Sequence, residues 1–328
     1  MPRKICDTPL IHCIEIPLPN NPLRALNCFV LQSNGESLIV DTGFRMPECS
    51  EALLSGLKEL NVVFSKTTLF LTHFHADHCG LVETLIDVGC RVYMGSLDYD
   101  LLCTAVDGKK LLSDFREEGY PQEELEKQLE VNPAHVYAPS CIFPVTEVGE
   151  GFTLNIGGLV LTTIATPGHT PGHLCLYLAE YETMFLADHV LFDISPNISV
   201  FPGADNPLKD YLESLDKICR YPIKLALTAH RSIGTSIIER VEVIKEHHQE
   251  RLVIADDVVR RFPNSTAYEI ASHFNWKMRG NGWDDFPIQQ KWFAVGETLA
   301  HLNWLLFDGQ IEKWKDGNDY RYRLVDKK

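Results

Sequence analysis

A mixed α/β fold is predicted for this 328-residue chain, and three observations predict it. Strand-like and helix-like apolar patterns alternate between residues 26 and 94. A second strand-rich block, residues 152–186, follows and is again succeeded by helical patterns. The composition is 45% apolar with Phe 16, Tyr 11 and Trp 5, enough to bury a large core, so a disordered chain is excluded.

In chain order, residues 26–31 and 37–40 read as strands flanking Asn34-Gly35, a favoured tight hairpin turn. Residues 50–60 form an amphipathic helical pattern, 68–71 an apolar strand, 81–88 a helix and 91–94 a strand. From about 96 to 147 the pattern turns helical, with Pro121 near a helix start and the charged run 123–130. Lying between two strand-rich regions, this segment reads as an insert that caps a pocket. Gly157-Gly158 then joins strands 152–156 and 159–165, and Glu180-Tyr181-Glu182 joins 174–178 and 184–186. Asn206-Pro207 is a cap and first-turn signal for a helix over 208–219, 223–227 is a buried strand, and 236–259 a long helix. Two more helices, 267–274 and 290–307, precede strands around Asp316-Gly317-Asn318. The expected organisation is a body over 1–262 and a small winged-helix-like unit over 263–328.

Lys+Arg 30 against Asp+Glu 45 gives a net charge of −15, which argues against a general binder of nucleic acid or anionic membrane. Residues 266–328 hold nine Lys/Arg, among them Arg321, Arg323, Lys327 and Lys328, and nine Asp/Glu, so the body carries all of that charge. A nucleic-acid-reading module usually shows a basic stripe, and this tail does not. Trp276, Trp283, Trp292 and Trp304 are expected to pack the tail or its contact with the insert. No run of about 18 apolar residues marks a transmembrane helix, and the start lacks the apolar stretch of a secretory signal. Ten scattered cysteines without a Cys-x-x-Cys pair then read as reduced, mostly buried thiols, and the expected location is cytoplasmic.

The chemistry concentrates in Thr72-His73-Phe74-His75-Ala76-Asp77-His78-Cys79-Gly80, between a strand and a helix. Alternate side chains of an extended segment face the same way, so His73 and His75 can reach one metal. Asp77 and His78 stand at the turn into the helix and can point back into the same cavity. His169, Asp188 and His230 each follow a strand as well, so their loops would converge on one sheet edge. Cys79 reads as a packed thiol, His173 and His189 as supporting or packing residues, and His247-His248 as a solvated helix face.

These residues resemble the metallo-β-lactamase superfamily: His73-x-His75-x-Asp77-His78, the upstream Val40-Asp41-Thr42-Gly43, and the later His169, Asp188 and His230, together spanning about residues 20–250. The resemblance implies a four-layer αββα sandwich with a dinuclear site at its edge. It implies that His73, His75 and His169 hold one metal, that Asp77, His78 and His230 hold the other, and that Asp188 bridges them. Asp41 is implied to support the metal loop by hydrogen bonding. Imidazole and carboxylate suit two Zn²⁺ ions, and iron or manganese takes the same donors. Two cations about 3.5–4 Å apart can share a hydroxide whose parent water has its pKa lowered toward about 7, with Asp77 orienting the nucleophile or shuttling a proton.

Departures within the family narrow the class. His75 stands where the redox diiron branch carries Glu, which favours hydrolysis. Asp188, rather than Cys, makes the chain more similar to the glyoxalase II and ribonuclease branches than to a true penicillin-cleaving enzyme. Arg231 follows His230 where many relatives have Gly, and it reads either as a binder of substrate carboxylate or phosphate or as a structural ion-pair residue. The leading reading is a metal-dependent hydrolase of a small ester, thioester or lactone. The alternative is a phosphodiesterase or endoribonuclease using the same metals, because some relatives with a C-terminal winged helix cleave RNA. A winged-helix DNA-binding regulator ranks third, given the neutral tail.

Overall fold

Along the strand Thr67–Leu71, Leu69 and Leu71 enter one apolar cluster while Phe70 enters another, and this two-sided burial sets the layering. The computed structural model describes residues 1–105, 109–234, 236–276 and 282–325. Its elements begin with β1 (Arg3–Asp7), β2 (Leu10–Pro17), β3 (Ala25–Ser33), β4 (Glu36–Val40), α1 (Pro47–Glu59), β5 (Thr67–Leu71), α2 (Ala76–Cys79), α3 (Val82–Asp87) and β6 (Arg91–Gly95). The insert supplies α4 (Ser96–Ala105), α5 (Lys109–Glu117), α6 (Gln122–Val131) and α7 (Pro133–Val136), ending at β7 (Thr146–Val148). Then come β8 (Thr153–Ile156), β9 (Leu159–Ala165), β10 (Leu174–Leu178), β11 (Thr183–Ala187), α8 (Pro207–Ile218) and β12 (Leu225–Thr228). The chain closes with α9 (Ile237–Arg261), α10 (Ala267–Ser272), α11 (Ile288–Phe307), β13 (Ile311–Asp316) and β14 (Asp319–Leu324).

Strands β1 to β7 form one sheet in sequence order, antiparallel as far as β4 and parallel from β4 to β7. The second sheet runs β12-β11-β10-β9-β8, with only β11 and β12 parallel. Phe29 and Phe185 meet edge to face at 5.9 Å between the sheets. Leu53 and Leu57 of α1 and Leu85 of α3 cover the outer face of the first sheet. Leu215 of α8 with Val241 and Ile244 of α9 cover that of the second. The result is the αββα sandwich the motifs implied. β1, β2 and β7 extend the first sheet beyond the strands marked by pattern.

The cap signal at Asn206-Pro207 acts where expected. The Asn206 side chain accepts from the Lys209 amide (3.2 Å) with Pro207 opening α8. Thr266 and Glu269 form a reciprocal capping box at α10. The helix–helix–hairpin order expected after residue 262 is present, and its Ala267, Val295, Leu299 and Tyr322 join Ile164, Cys175 and Leu215 in one continuous apolar cluster. Trp276, Trp283, Trp292 and Trp304 pack against that cluster.

The helical insert divides its contacts. Tyr99 of α4 packs with the core under the first sheet, while Phe115 of α5 stacks on Trp292 of α11 at 4.0 Å and 9°. Residues 106–108 of the insert, and Lys327 and Lys328 at the end, lie outside the described residues. One expectation is corrected: His248 is buried, not solvated. It lies between α9 and α11 with its ring 5.3 Å from that of His301, because that face of the polar helix is covered by a segment 53 residues further along. No helix among the described residues is long and apolar enough to cross a membrane.

Candidate metal centre

The parallel register of β4 and β5 pairs Val40 with Phe70, so the two chains leave the sheet side by side. Asp41, at φ 63°, turns its carboxylate onto Thr72: Oδ1 accepts from the Thr72 amide (2.9 Å) and Oδ2 from the Thr72 hydroxyl (2.9 Å). Oδ2 also accepts from His78 Nδ1 (2.8 Å). Ala187 (φ 46°), just before Asp188, and Arg231 (φ 60°), just after His230, share this left-handed conformation. Such strain in non-glycine residues collects at functional sites, where the surrounding structure enforces it. The His169 loop turns at Gly168 (φ 132°), where a Cβ would lie 2.3 Å from that of Tyr211.

All seven expected donor residues come together. His73 Nε2 and His169 Nε2 approach His75 Nδ1 at 3.0 and 3.1 Å. Asp77 Oδ2 lies 3.4 Å from His230 Nε2 and 3.9 Å from His78 Nε2. Asp188 stands between the groups: Oδ2 is 3.6 Å from both His169 Nε2 and His78 Nε2, and Oδ1 is 3.4 Å from His230 Nε2. The donor atoms of His73, His75 and His169, and those of Asp77, His78 and His230, fall within 4.8 Å of one another, as do those of His73, His78 and Asp188.

Hydrogen-bond accounting identifies the free lone pairs. His169 Nδ1 donates to the Asn197 carbonyl and His230 Nδ1 to the Ala25 carbonyl, both at 2.8 Å. A carbonyl only accepts, so both Nε2 atoms keep their lone pairs when neutral. The Thr72 hydroxyl spends its hydrogen on Asp41 and therefore accepts from His73 Nδ1 (3.0 Å), which leaves His73 Nε2 free. His78 Nε2, His230 Nε2 and Asp188 Oδ1 are buried without a hydrogen-bond partner. Orphaned buried groups of this kind are costly. Here each stands among the other donor atoms, and the two imidazole nitrogens offer lone pairs once deprotonated, so the site fits a cation.

Electrostatics agree. Burial pushes the pKa of His73 well below its ordinary value, that of His75 down to about 3, and that of His169 down, so these rings are neutral donors. At His78 burial opposes charge, but Asp41, Asp188 and Asp77 outweigh it and raise the pKa well above normal. Burial likewise opposes ionisation of Asp77, yet His78 and His230 draw its pKa down to about 2; His230 and His78 hold Asp188 well below the carboxylate range. A proton on His78 competes with a metal ion for the same negative field.

The remaining expected residues divide. Cys79 is a buried thiol whose Sγ donates to the Phe74 carbonyl (3.2 Å). His173 and His189 are buried behind the site, the former with its ring 5.2 Å from His73. Arg231 is exposed and donates to the Pro22 carbonyl (3.2 Å). Sequence reasoning missed Asp98, Asn197 and Asn27. Asn27 donates to the Thr228 and Arg231 carbonyls (3.0 and 3.1 Å) and so holds the His230 loop from the first sheet. It also missed Phe201, whose ring lies 6.3 Å from His75 and 5.4 Å from Phe74.

A buried His/Asp cluster at the edge of an αββα sandwich defines a metal-dependent hydrolase. The chain belongs to the metallo-beta-lactamase superfamily, whose sequence profile matches residues 22–230, and a metallo-beta-lactamase-like C-terminal domain profile matches 284–325. It is similar to a beta-lactamase-like protein 2 homolog of Caenorhabditis elegans, 24% identical over 313 residues, 92% of this chain and 89% of that protein. It is also similar to an atrochrysone carboxyl ACP thioesterase of Emericella nidulans, 23% identical over 239 residues, 72% of this chain and 62% of that enzyme. Among solved structures, a metallo-beta-lactamase family protein from Thermus thermophilus superposes with a TM-score of 0.80 at 29% identity, covering 96% of this chain and 98% of that one. A beta-lactamase domain protein from Burkholderia ambifaria shares the fold with a TM-score of 0.83 at 23% identity, covering 99% of this chain and 94% of that one.

Proposed function

We propose that the protein uses two divalent ions, zinc foremost, to hydrolyse a small thioester, ester or lactone, as in the glyoxalase II-like part of the superfamily. His73, His75 and His169 would hold one ion and Asp77, His78 and His230 the other. The observation that carries this reading is the place of Asp188, whose two oxygens lie 3.4 to 3.6 Å from donor nitrogens of both groups. The 3.0 and 3.1 Å separations around His75 also suit nitrogens about 2.0–2.1 Å from a single Zn²⁺ ion. When bound, the ions supply a Lewis acid and bring the pKa of water toward about 7.

The chain's own residues supply the rest. Asp77 is ionised at neutral pH, so its carboxylate accepts a hydrogen bond from the attacking water and orients it. Phe74 and Phe201 offer an apolar wall beside His75 for the acyl side of a substrate. Arg231, exposed beside His230, is assigned a carboxylate or phosphate of the substrate. The fungal relatives named as acyl-carrier thioesterases support a thioester over the other esters.

The C-terminal helix–helix–hairpin reads as a winged-helix-like unit that packs rather than binds nucleic acid. Among the described residues its cations pair with acids: Arg321 with Asp316 (2.7 Å), Lys313 with Glu118 (2.6 Å), Lys315 with Glu117 (2.8 Å), and Arg323 with Glu312. Ten free cysteines support a reducing, cytoplasmic setting. The test is a panel of thioesters, lactones, bis(p-nitrophenyl) phosphate and single-stranded RNA given to the zinc-loaded protein at two ionic strengths. Thioester turnover insensitive to salt is expected. RNA cleavage that weakens steeply with salt would replace this reading by the nuclease one.

A further inference from the structure

We infer that Asp98 is a positioning residue that clamps the loop of His73 and His75 to the loop of His169, so that the helical insert braces one half of the metal centre. The inference rests on the metal reading above. Asp98 lies in the first turn of α4, fully buried, and its hydrogen bonds go to residues flanking the donor rings. Its Oδ2 accepts from the Phe74 amide (3.1 Å) and the Thr170 hydroxyl (2.6 Å), and its Oδ1 accepts from the Gly172 amide (2.6 Å). Phe74 sits between His73 and His75, and Thr170 directly follows His169. One carboxylate thus ties together the two segments that carry the entire first triad.

The contact is rigid as well as polar. A Cβ on Gly172 would lie 2.4 Å from the Asp98 amide nitrogen, and one on Gly95 would lie 2.4 Å from the Gly172 carbonyl oxygen. The backbone of the His169 loop therefore rests directly on the end of β6 and the start of α4. Burial pushes the Asp98 carboxyl up to about 7 against its three donors, a cost that a side chain serving only to fill space would not carry. Asp41 is a second buried carboxylate beside the site, with His78 Nδ1, the Thr72 amide and the Thr72 hydroxyl as its donors. Asp41 thus reaches His78 directly and His73 through Thr72, whereas Asp98 joins only the two segments of the first triad.

The substitution Asp98→Asn keeps the shape but turns one acceptor oxygen into an NH₂ donor. Whichever way the amide turns, it faces the N–H of Gly172 or of Phe74, and that amide loses its acceptor. Thr170→Val removes only the hydroxyl bond and keeps the side-chain volume. The experiment measures zinc affinity by chelator competition in the full chain, with far-UV circular dichroism to confirm folding. His230→Ala leaves the first triad intact, and His169→Ala leaves the second. Asp98→Asn is expected to weaken zinc about 10–100-fold in the His230→Ala background and to leave it unchanged in the His169→Ala background. Thr170→Val is expected to give a smaller loss in the same background, and it decides the matter if Asp98→Asn does not fold. Unchanged zinc affinity in a folded variant, or equal loss in both backgrounds, overturns the clamp. A wild-type chain that binds no zinc overturns the metal reading itself, whereas two zinc ions bound equally by wild type and Asp98→Asn overturn the clamp alone.

Discussion

His78 Nδ1 donates to Asp41 Oδ2 at 2.8 Å with both side chains closed off from solvent, and that one bond decides which ring nitrogen of His78 faces the other donors. Asp41→Asn tests it cleanly. Asn tolerates the left-handed φ of 63° that this position requires, so the backbone need not move. The neutral amide offers one acceptor where Thr72 and His78 together present three donors. Zinc affinity should fall about 10–100-fold with the far-UV spectrum unchanged. Undiminished affinity in chelator competition would show that the carboxylate does not orient His78 for a metal.

His75 is the donor that brings the first triad together, since its Nδ1 faces the Nε2 atoms of both His73 and His169. Removing it leaves the β5 core beneath untouched. His75→Ala should therefore stay folded while losing most of its metal and essentially all hydrolysis. Metal analysis that finds a full complement in this variant would sink the assignment of the site.

Acid should unfold the protein through its buried neutral histidines. Burial, reinforced by His301, holds the His248 pKa down at about 3, and burial also holds His189 at about 3. Above the ordinary pKa of about 6.5 these groups are neutral in both states and contribute no pH dependence. Between about 6.5 and 3 the unfolded chain takes up protons that the folded one refuses, so stability is lost as pH falls through that window. In His248→Phe, which keeps an aromatic ring against His301, stability should fall less steeply, by at most about 1.4 kcal/mol per pH unit. Urea midpoints at pH 7, 6, 5 and 4 make the comparison, and parallel curves for the two proteins would refute it.

The donor residues are legible because they break a rule: strands that should end in ordinary turn residues run into His or Asp instead, and these breaks share one sheet edge. Asp98 has no such signal. An acid in the first turn of a helix is ordinary, and its partners are two amides and a hydroxyl as far as 74 residues away. Asn197 acts on His169 through a backbone carbonyl, which no side-chain pattern reveals. His248 misleads for a related reason: its helix is polar, and the residue that buries it comes from α11. β1 is invisible to pattern because Arg3–Asp7 is an exposed edge strand held by its pairing with β2, not by an apolar face. Periodicity reports burial against near neighbours in the chain, and these features depend on distant ones.

The stack of Phe115 on Trp292 gives the last prediction, because it joins the insert to the C-terminal stretch. Phe115 is 1% exposed and also lies 6.2 Å from Tyr120 in the same cluster. Truncating a buried phenylalanine leaves a cavity that the surrounding helices fill only in part, so Phe115→Ala should cost about 3–5 kcal/mol. Zinc content at 25 °C should be unchanged, since neither ring touches a donor of the metal centre. A double-mutant cycle with Trp292→Ala isolates the pair, and an interaction of about 0.5–1.5 kcal/mol is expected for offset aromatic rings. Such coupling requires that residues 109–117 and 288–307 unfold together with the body. Two separate melting transitions with additive effects would instead mean that the C-terminal stretch is an independent folding unit and that the shared apolar cluster does not bind it to the rest.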